Sequence, residues 1–176
     1  LRHDSDSHPE KALAMAKIES EFGIRSTYFF LHSAKYYGSV KNSVMIRNSI
    51  LDKLAKKLFD KGFEIGIHRD LFTMMWDYQF DPIGFIKEEI DYYKSIGVTV
   101  TGTAAHGNMN TINTGLNEMW IFSEFGKSGY YVNKGKKYFY GKNSVKDFGL
   151  EYEAYLLKRK VHLSDIAAGF NAQKLN

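Results

Sequence analysis

The sequence of 176 residues contains no cysteine, only two prolines and no long hydrophobic run. Without cysteine, a disulfide scaffold and a cysteine-ligated zinc or iron–sulfur site are excluded, so any metal ion must be held by other side chains. No stretch approaches the roughly 18 apolar residues of a membrane-spanning helix, which excludes an integral helical membrane protein. Because 44% of the residues are hydrophobic and 15% aromatic, the chain is not disordered, and we predict a single domain over residues 1–176.

Arginine is scarce among the cationic residues. The chain has 24 Lys and Arg against 20 Asp and Glu, a net charge of +4, and only five of the cations are Arg. Two short basic runs stand out: Lys134, Lys136 and Lys137, and later Lys158, Arg159 and Lys160. Nucleic-acid-binding surfaces cluster Arg and Lys, whereas isolated lysine runs are usually solvated faces, so we expect no nucleic-acid partner.

The two ends of the sequence favour a fragment of a longer chain. The sequence begins at Leu1, directly before a polar motif, and stops at Asn176 without an evident closing element. No charged-then-apolar signal-peptide pattern occurs at the start, which slightly favours the cytoplasm. The compartment and the oligomeric state are not determined by these features.

Helical and strand-like runs alternate along the chain. Four helices are expected, ending before Gly23, Gly62, Gly97 and Gly126. The positions at helical spacing are Ala12, Met15, Ile18 or Glu19, and Phe22 in the first helix, Ile46, Ile50, Leu54 and Leu58 in the second, Ile83, Ile86, Ile90 and Tyr93 in the third, and Leu116, Met119 and Trp120 in the fourth, which spans 114–125. We interpret Ser7 to Glu10 as a capping box for the first helix, and Asp81-Pro82 as an N-cap followed by proline.

Short strands are expected between these helices. They cover 25–31, 63–68, 98–101 and 160–165, with a shorter one at 130–132, and 133–148 is expected to be a long loop. Repeated strand–helix alternation predicts parallel strands with helical crossovers. An open doubly wound sheet and a β/α barrel both fit, although a complete barrel of about 250 residues is longer than this chain.

Candidate functional residues follow the expected strands, where β/α folds place their sites. Asp4 and Asp6, two positions apart, point to the same side of an extended chain, and two carboxylates at one spot require a cation or a shared proton. His68 and His106 follow two further strands. Asp and His together are a usual ligand set for zinc and similar ions.

Each of these residues also has an ordinary structural interpretation. Asp4 and Asp6 could be turn and capping residues before the first helix, and a single His at a strand end is more often a structural residue than a ligand. No glycine-rich nucleotide loop and no Gly-x-Ser-x-Gly motif are present, so nucleotide binding and that type of serine hydrolase are unsupported. The aromatic residues, notably Trp76-Asp77-Tyr78, suit sugar stacking or core packing.

Two blocks of the sequence resemble polysaccharide deacetylase-like proteins. The first runs from Arg2-His3-Asp4-Ser5-Asp6 to Phe30, and the second is Gly62-Phe63-Glu64-Ile65-Gly66-Ile67-His68. The likeness is good over 1–70, faint over 97–132 and returns weakly at Ser164-Asp165. It implies a distorted (β/α) barrel of the glycoside hydrolase/deacetylase type, incomplete at both ends here, a divalent metal ion, usually zinc, and hydrolysis of N- or O-acetyl groups on a carbohydrate.

The same resemblance implies roles for individual residues. Asp4 matches the general base, Asp6 the first metal ligand and His68 the second, so that the metal activates water and Asp4 accepts its proton. The family's second metal histidine would fall at position 72, which is Phe72 here. We hypothesise that His106 or Asp70 replaces it.

Two other hypotheses stay open, and Phe72 motivates the first of them. A non-catalytic glycan-binding barrel could have lost the metal centre, and a related metal-dependent amidohydrolase could act on a small amide. The sequence does not identify the sugar, its linkage or any substrate-binding residue.

Overall fold

A computed structural model of the chain describes residues 1–158, 161–166 and 169–174. The strands are β1 (Arg2–Ser5), β2 (Thr27–Leu31), β3 (Gly38–Lys41), β4 (Val44–Arg47), β5 (Glu64–Arg69), β6 (Val100–Ala105), β7 (Gly129–Asn133), β8 (Lys136–Tyr140), β9 (Tyr152–Glu153), β10 (Val161–Ile166) and β11 (Gly169–Lys174). The helices are α1 (Glu10–Glu21), α2 (Ser49–Asp60), α3 (Leu71–Tyr78), α4 (Pro82–Ser95) and the short α5 (Met109–Thr114). Short 3-10 turns cover Glu118–Ile121, Ser123–Phe125, Val145–Phe148 and Ala154–Leu156.

A five-stranded sheet in the order β1-β2-β5-β6-β9 forms the centre, and every neighbouring pair is parallel. The expected alternation of parallel strands and helical crossovers is thereby confirmed. Within the described residues the sheet does not close into a barrel. Its two edges nevertheless approach each other, because the Arg2 guanidinium of β1 lies 4.9 Å from the ring of Tyr155, just beyond β9.

Close strand packing at β5 depends on the absence of a side chain at Gly66. A Cβ atom there would lie 2.3 Å from the Phe29 ring, and one at the facing Gly102 would lie 2.2 Å from the Tyr152 ring. Both are sterically impossible without movement of an aromatic ring, so glycine is required. The prediction that Gly66 permits a close approach is confirmed, and His68, two positions on, points to the same face of the sheet.

The helices pack against the sheet through apolar faces. The sequence predicted some, but not all, of the residues in these faces. Leu51, Leu54, Ala55 and Leu58 of α2 are buried, as are Phe85, Ile86 and Tyr93 of α4. Asp81 caps α4 by accepting a hydrogen bond from the Gly84 amide, as predicted. Of the expected stripe of α2, Ile46 belongs to β4, and Ile50 is exposed.

The predicted start of α1 is wrong, and its predicted buried positions are confirmed only at Ala12 and Glu19. His8 has a positive φ of 51°, so the chain turns before the helix, and the N-cap is Pro9 without a side-chain hydrogen bond. The buried face contains Glu19, which accepts hydrogen bonds from the Ser26 and Tyr28 hydroxyl groups. These bonds hold the Glu19 face against the sheet and leave Met15, Ile18 and Phe22 exposed.

Several further elements differ from expectation. The fourth helix predicted over 114–125 is replaced by two 3-10 turns, and the loop predicted over 133–148 contains β8 and a third turn. The β3–β4 hairpin and α3 were not predicted. The missed α3 begins directly after His68-Arg69-Asp70, so it adjoins the candidate site.

The strand predicted at 160–165 corresponds to β10, which pairs antiparallel with β11. The side chains of His162, Ser164 and Asp165, together with Arg159 and Lys160, lie outside the described part of the structure. The weak return of the family likeness there therefore stays a prediction. In the part that is described, none of the helices has the length and apolar character needed to cross a bilayer.

Candidate metal centre

The candidate residues lie at the carboxyl ends of parallel strands. Asp4 belongs to β1 and Asp6 follows it, His68 belongs to β5, and His106 directly follows β6. The His106 amide donates a 2.8 Å hydrogen bond to the Arg69 carbonyl oxygen, which extends the β5–β6 ladder by one step. Because parallel strands end at the same edge of a sheet, three segments far apart in sequence meet there.

The side chains of Asp6, His68 and His106 converge. One potential ligand atom from each lies within 4.8 Å of the other two. Asp6 Oδ1 is 3.3 Å from His68 Nε2 and 3.9 Å from His106 Nδ1. His106 Nδ1 in turn is 3.3 Å from His68 Nε2, with the two rings edge to face. These separations are those of ligands around a single small cation.

The orientation of His68 makes the cluster electron-rich. Its Nδ1 lies 3.1 Å from the carbonyl oxygen of Ala104, and because a carbonyl only accepts, Nδ1 carries the proton. In a neutral ring Nε2 is then a lone-pair acceptor, facing Asp6 Oδ1 and, at 3.7 Å, Asp4 Oδ2. Acceptors that face one another require a proton or a cation between them. A backbone carbonyl on the remote nitrogen is also the usual partner of a metal-bound histidine.

Two pKa shifts favour the protonation states that bind a metal. Partial burial raises the pKa of Asp6, but the hydrogen bond and the charge that His68 offers when it is protonated, with smaller effects of His106 and Arg2, hold it below its ordinary value. Burial and the nearby His68 lower the pKa of His106, against the opposing carboxylates. Asp6 is thus a carboxylate and His106 a neutral imidazole near neutral pH, the forms that ligate divalent ions.

Asp4 stands beside the cluster in an ion pair. Arg2 donates from Nε to Asp4 Oδ1 at 2.7 Å and from its terminal nitrogen to Oδ2. The same guanidinium lies over the rings of Phe29 and Tyr155. Arg2 is therefore held from several sides and fixes the orientation of the Asp4 carboxylate, whose Oδ2 faces His68.

Of the two proposed substitutes for the missing histidine, only His106 joins the cluster of described ligand atoms. Asp70 is buried and engaged elsewhere, since it accepts hydrogen bonds from Ser33 Oγ at 2.6 Å and from the Asn108 amide. Phe72 is buried in the core on α3, edge-on to the Tyr140 ring.

The other histidines have structural surroundings. His3, expected to pack, lies 2.7 Å from a Glu19 oxygen and stacks on Tyr28. His32, which sequence reasoning left without a role, accepts a 2.7 Å hydrogen bond from the Asp70 amide through Nε2. Complete burial lowers the pKa of His32 to about 3, so its ring is neutral. The position of His32 directly after β2 was the sequence feature that could have identified it as a residue near the site.

The predicted sugar-stacking residue Trp76 lies on α3 and packs against the Tyr131 ring at a centroid distance of 4.7 Å. Its neighbour Tyr78 is exposed. Trp76 is therefore at least partly a packing residue, and a role in substrate binding stays a prediction.

No protein-family model matches the chain, and no curated protein matches it at a significant level. The resemblance to polysaccharide deacetylase-like proteins therefore depends on the two sequence motifs alone. The function has to be argued from the chemistry of the site.

Proposed function

We propose that the chain is a metal-dependent hydrolase that removes N- or O-acetyl groups from a carbohydrate. The observation that carries the proposal is the convergence of Asp6, His68 and His106 within 4.8 Å. The carboxylate of Asp4 adjoins them, with Oδ2 3.7 Å from His68 Nε2. Two imidazoles and one carboxylate leave a ligand position open to water or substrate, as catalytic sites require.

The three converging residues would hold the ion, with zinc the expected metal. The donor set of two nitrogens and one oxygen suits zinc, and the mutual repulsion of these acceptors gives a cation a place to bind. When bound, such an ion supplies Lewis acidity that activates water and stabilises negative charge on the acetyl oxygen. The Ala104 carbonyl keeps His68 in the tautomer that presents Nε2.

Asp4 would accept the proton of the attacking water. Its carboxylate faces the same point as the three ligands and is only partly exposed. Arg2 orients it with two hydrogen bonds, which leaves the syn or anti lone pairs of Oδ2 directed to the cluster. Asp4 would then return the proton to the departing sugar group.

The finer architecture that we propose is a distorted (β/α) barrel of the deacetylase type. Support comes from the all-parallel sheet and from the approach of its two edges at Arg2 and Tyr155. Phe72, at the position of the family's histidine, is buried in the core. His106 supplies an imidazole at the cluster from the neighbouring strand, which favours a relocated third ligand over a lost metal centre.

Metal binding and turnover are tested separately. Zinc titration of the chelator-treated chain by calorimetry should give about one site, lost in His68→Ala and His106→Ala but kept in His8→Ala, an exposed control. Asp4→Asn should bind zinc yet release no acetate from acetylated oligosaccharides. Equal zinc binding by the wild type and both site variants would refute the metal centre, and retained turnover in Asp4→Asn would refute the base.

A substrate panel distinguishes the proposal from an amidohydrolase. Acetylated oligosaccharides should be the substrates, with no turnover of small amides or cyclic ureas. Zinc binding with turnover of the small amides alone would select the amidohydrolase. Oligosaccharide binding that is unaffected by chelator and yields no acetate would select a non-catalytic glycan-binding domain.

A further inference from the structure

The positive charge of this protein is concentrated in one segment. Between Phe125 and Lys146 the sequence contains six lysines and no acidic residue: Lys127, Lys134, Lys136, Lys137, Lys142 and Lys146. The whole chain carries +4, so everything outside this segment carries a net −2. The excess charge is therefore a local feature, not a general property of the surface.

This segment folds as a β-hairpin with two distinct faces. Strands β7 and β8 pair in register through the two-residue turn Lys134-Gly135, where both residues have positive φ, as a type I′ turn requires. Tyr130 pairs with Phe139 and Val132 with Lys137, and all four side chains are exposed. We call this outward face, with the flanking Lys142, the lysine face.

The opposite face of the hairpin is fixed to α3. The Asn133 side-chain amide donates to the carbonyl oxygens of Met75 and Trp76 at 3.0 and 3.1 Å, and the Tyr138 hydroxyl contacts Gln79. Helix α3 begins at Leu71, three residues after His68. The hairpin is thus tied to the element that leaves the candidate metal centre.

Lysine ammonium groups lie over the aromatic rings of the lysine face. Lys137 Nζ is 4.5 Å from the centre of the Tyr130 ring, and Lys142 Nζ is 4.1 Å from that of Phe139. Among the described residues, no carboxylate forms an ion pair with any of the six lysines. The rings hold the cations in place, and their charge is available to a partner.

We propose that the lysine face binds an anionic polysaccharide, so that the carbohydrate processed at the metal centre is an acidic one. This inference extends the proposed function to a substrate class and depends on it for the link between the two sites. The ammonium groups of Lys137 and Lys142 match the carboxylates of such a polymer by charge, and the exposed rings supply apolar contact for sugar faces.

A glycan fits this surface better than a nucleic acid does. No arginine occurs between 125 and 146, and arginine is the residue that recognises phosphate with paired hydrogen bonds. A carboxylated polymer needs only charges at the surface.

The test measures binding of the whole chelator-treated chain to polygalacturonate oligomers, with neutral chitin oligomers of equal length for comparison. Lys137→Gln with Lys142→Gln should weaken binding to polygalacturonate at least about fivefold. The matched control, Lys53→Gln with Lys57→Gln on the exposed side of α2, removes the same charge and should leave affinity within about twofold. Circular dichroism and the unfolding temperature confirm that both variants are folded.

The outcomes separate this inference from the proposed hydrolase. Unchanged affinity in the hairpin variant, an equal loss in the α2 control, or tighter binding to chitin oligomers would overturn it. Tighter binding to single-stranded RNA or to phosphatidylglycerol vesicles than to polygalacturonate would also overturn it, in favour of those partners. If polygalacturonate binding behaves as expected while zinc binding fails, the lysine face stands and the metal centre does not.

Discussion

Two adjacent residues of β5 lie in opposite electrostatic environments. His68 faces Asp4, Asp6 and His106 at the carboxyl end of the sheet, where potential ligand atoms converge. Arg69 is completely buried, with its guanidinium 3.5 Å from Glu118 and 3.3 Å from Glu153.

The difference follows from strand geometry. Successive side chains of a strand point to opposite faces, so one step along the chain moves from one environment to the other. Around Arg69, burial raises the pKa of Glu118 to about 8 against the effect of the guanidinium, so one proton and one arginine neutralise the two glutamates. The Arg69 cluster contains its own cation, whereas the ligand atoms around His68 form the site at which we propose that a metal ion binds.

The largest expected effect is on the stability that the buried cluster of Arg69, Glu118 and Glu153 contributes. Arg69→Met should lower the free energy of unfolding by about 3–5 kcal/mol, because Glu118 and Glu153 remain buried without their cation. Urea unfolding measures the loss, and Arg25→Met, at an exposed arginine, is the control. A loss below about 1 kcal/mol would show that the cluster does not depend on Arg69.

The second prediction concerns the candidate metal centre of Asp6, His68 and His106. Zinc at about 100 times its dissociation constant should raise the free energy of unfolding of the wild type by about 2.7 kcal/mol, because it binds the folded state alone. His106→Ala should lose this gain, while His8→Ala should keep it. Thermal unfolding with and without zinc measures both, and an equal gain in His106→Ala would remove that residue from the site.

The third prediction tests a buried histidine at the same edge of the sheet. The pKa of His32 is about 3 in the folded state, below the ordinary value of 6.5. As the pH falls below 6.5 the unfolded chain binds a proton that the folded chain does not, so stability present above pH 6.5 is lost progressively towards pH 3. Between pH 7 and pH 5 the loss should be about 2 kcal/mol.

His32→Gln isolates this contribution, because glutamine can still accept the Asp70 amide hydrogen bond but does not titrate in this range. Urea unfolding in chelator at pH 7, 6 and 5 should give a shallower decline for the variant, by about 2 kcal/mol. Parallel declines in the two proteins would mean that His32 is not kept neutral by the fold.

The smallest expected effect on stability is at Arg2, which contacts Asp4 beside the candidate metal centre. Arg2 and Asp4 are each about a quarter to a third exposed, so Arg2→Gln should change the free energy of unfolding by less than about 1 kcal/mol. Acetate release should fall at least about tenfold, since Asp4 loses the donors that orient it. Unaltered turnover would show that Asp4 needs no positioning by Arg2.

Much of the fold was predictable because the signals are local. Helix α4 follows from Asp81-Pro82 and its apolar spacing, and β2 and β5 follow from their apolar runs. In helix α1 the sequence left Ile18 and Glu19 as alternatives, and Glu19 is the buried one because its three hydrogen-bonding partners outweigh the apolar residues of the opposite face. The 3-10 turns at 118–125 replace a helix because Glu118 accepts bonds from the Leu71 and Phe72 amides, contacts that no local pattern announces.

The candidate site likewise has features that were predictable from the sequence and features that were not. Asp4, Asp6, His68 and His106 were candidates from the sequence because each follows or ends a predicted strand, and parallel strands end at one edge. The sequence alone also determined that any metal must be held without cysteine and that the lysines are concentrated between 125 and 146. These are properties of composition and order along the chain.

Only the tertiary structure decided which of these residues meet. His106 rather than Asp70 adjoins His68, because the Arg69 carbonyl holds the His106 amide while Ser33 and Asn108 engage Asp70. The tautomer of His68 likewise depends on its contact with the Ala104 carbonyl, on a strand remote in sequence. The sequence determines which side chains are present. Their convergence on one point requires strands that are aligned in register, and only the folded sheet provides that alignment.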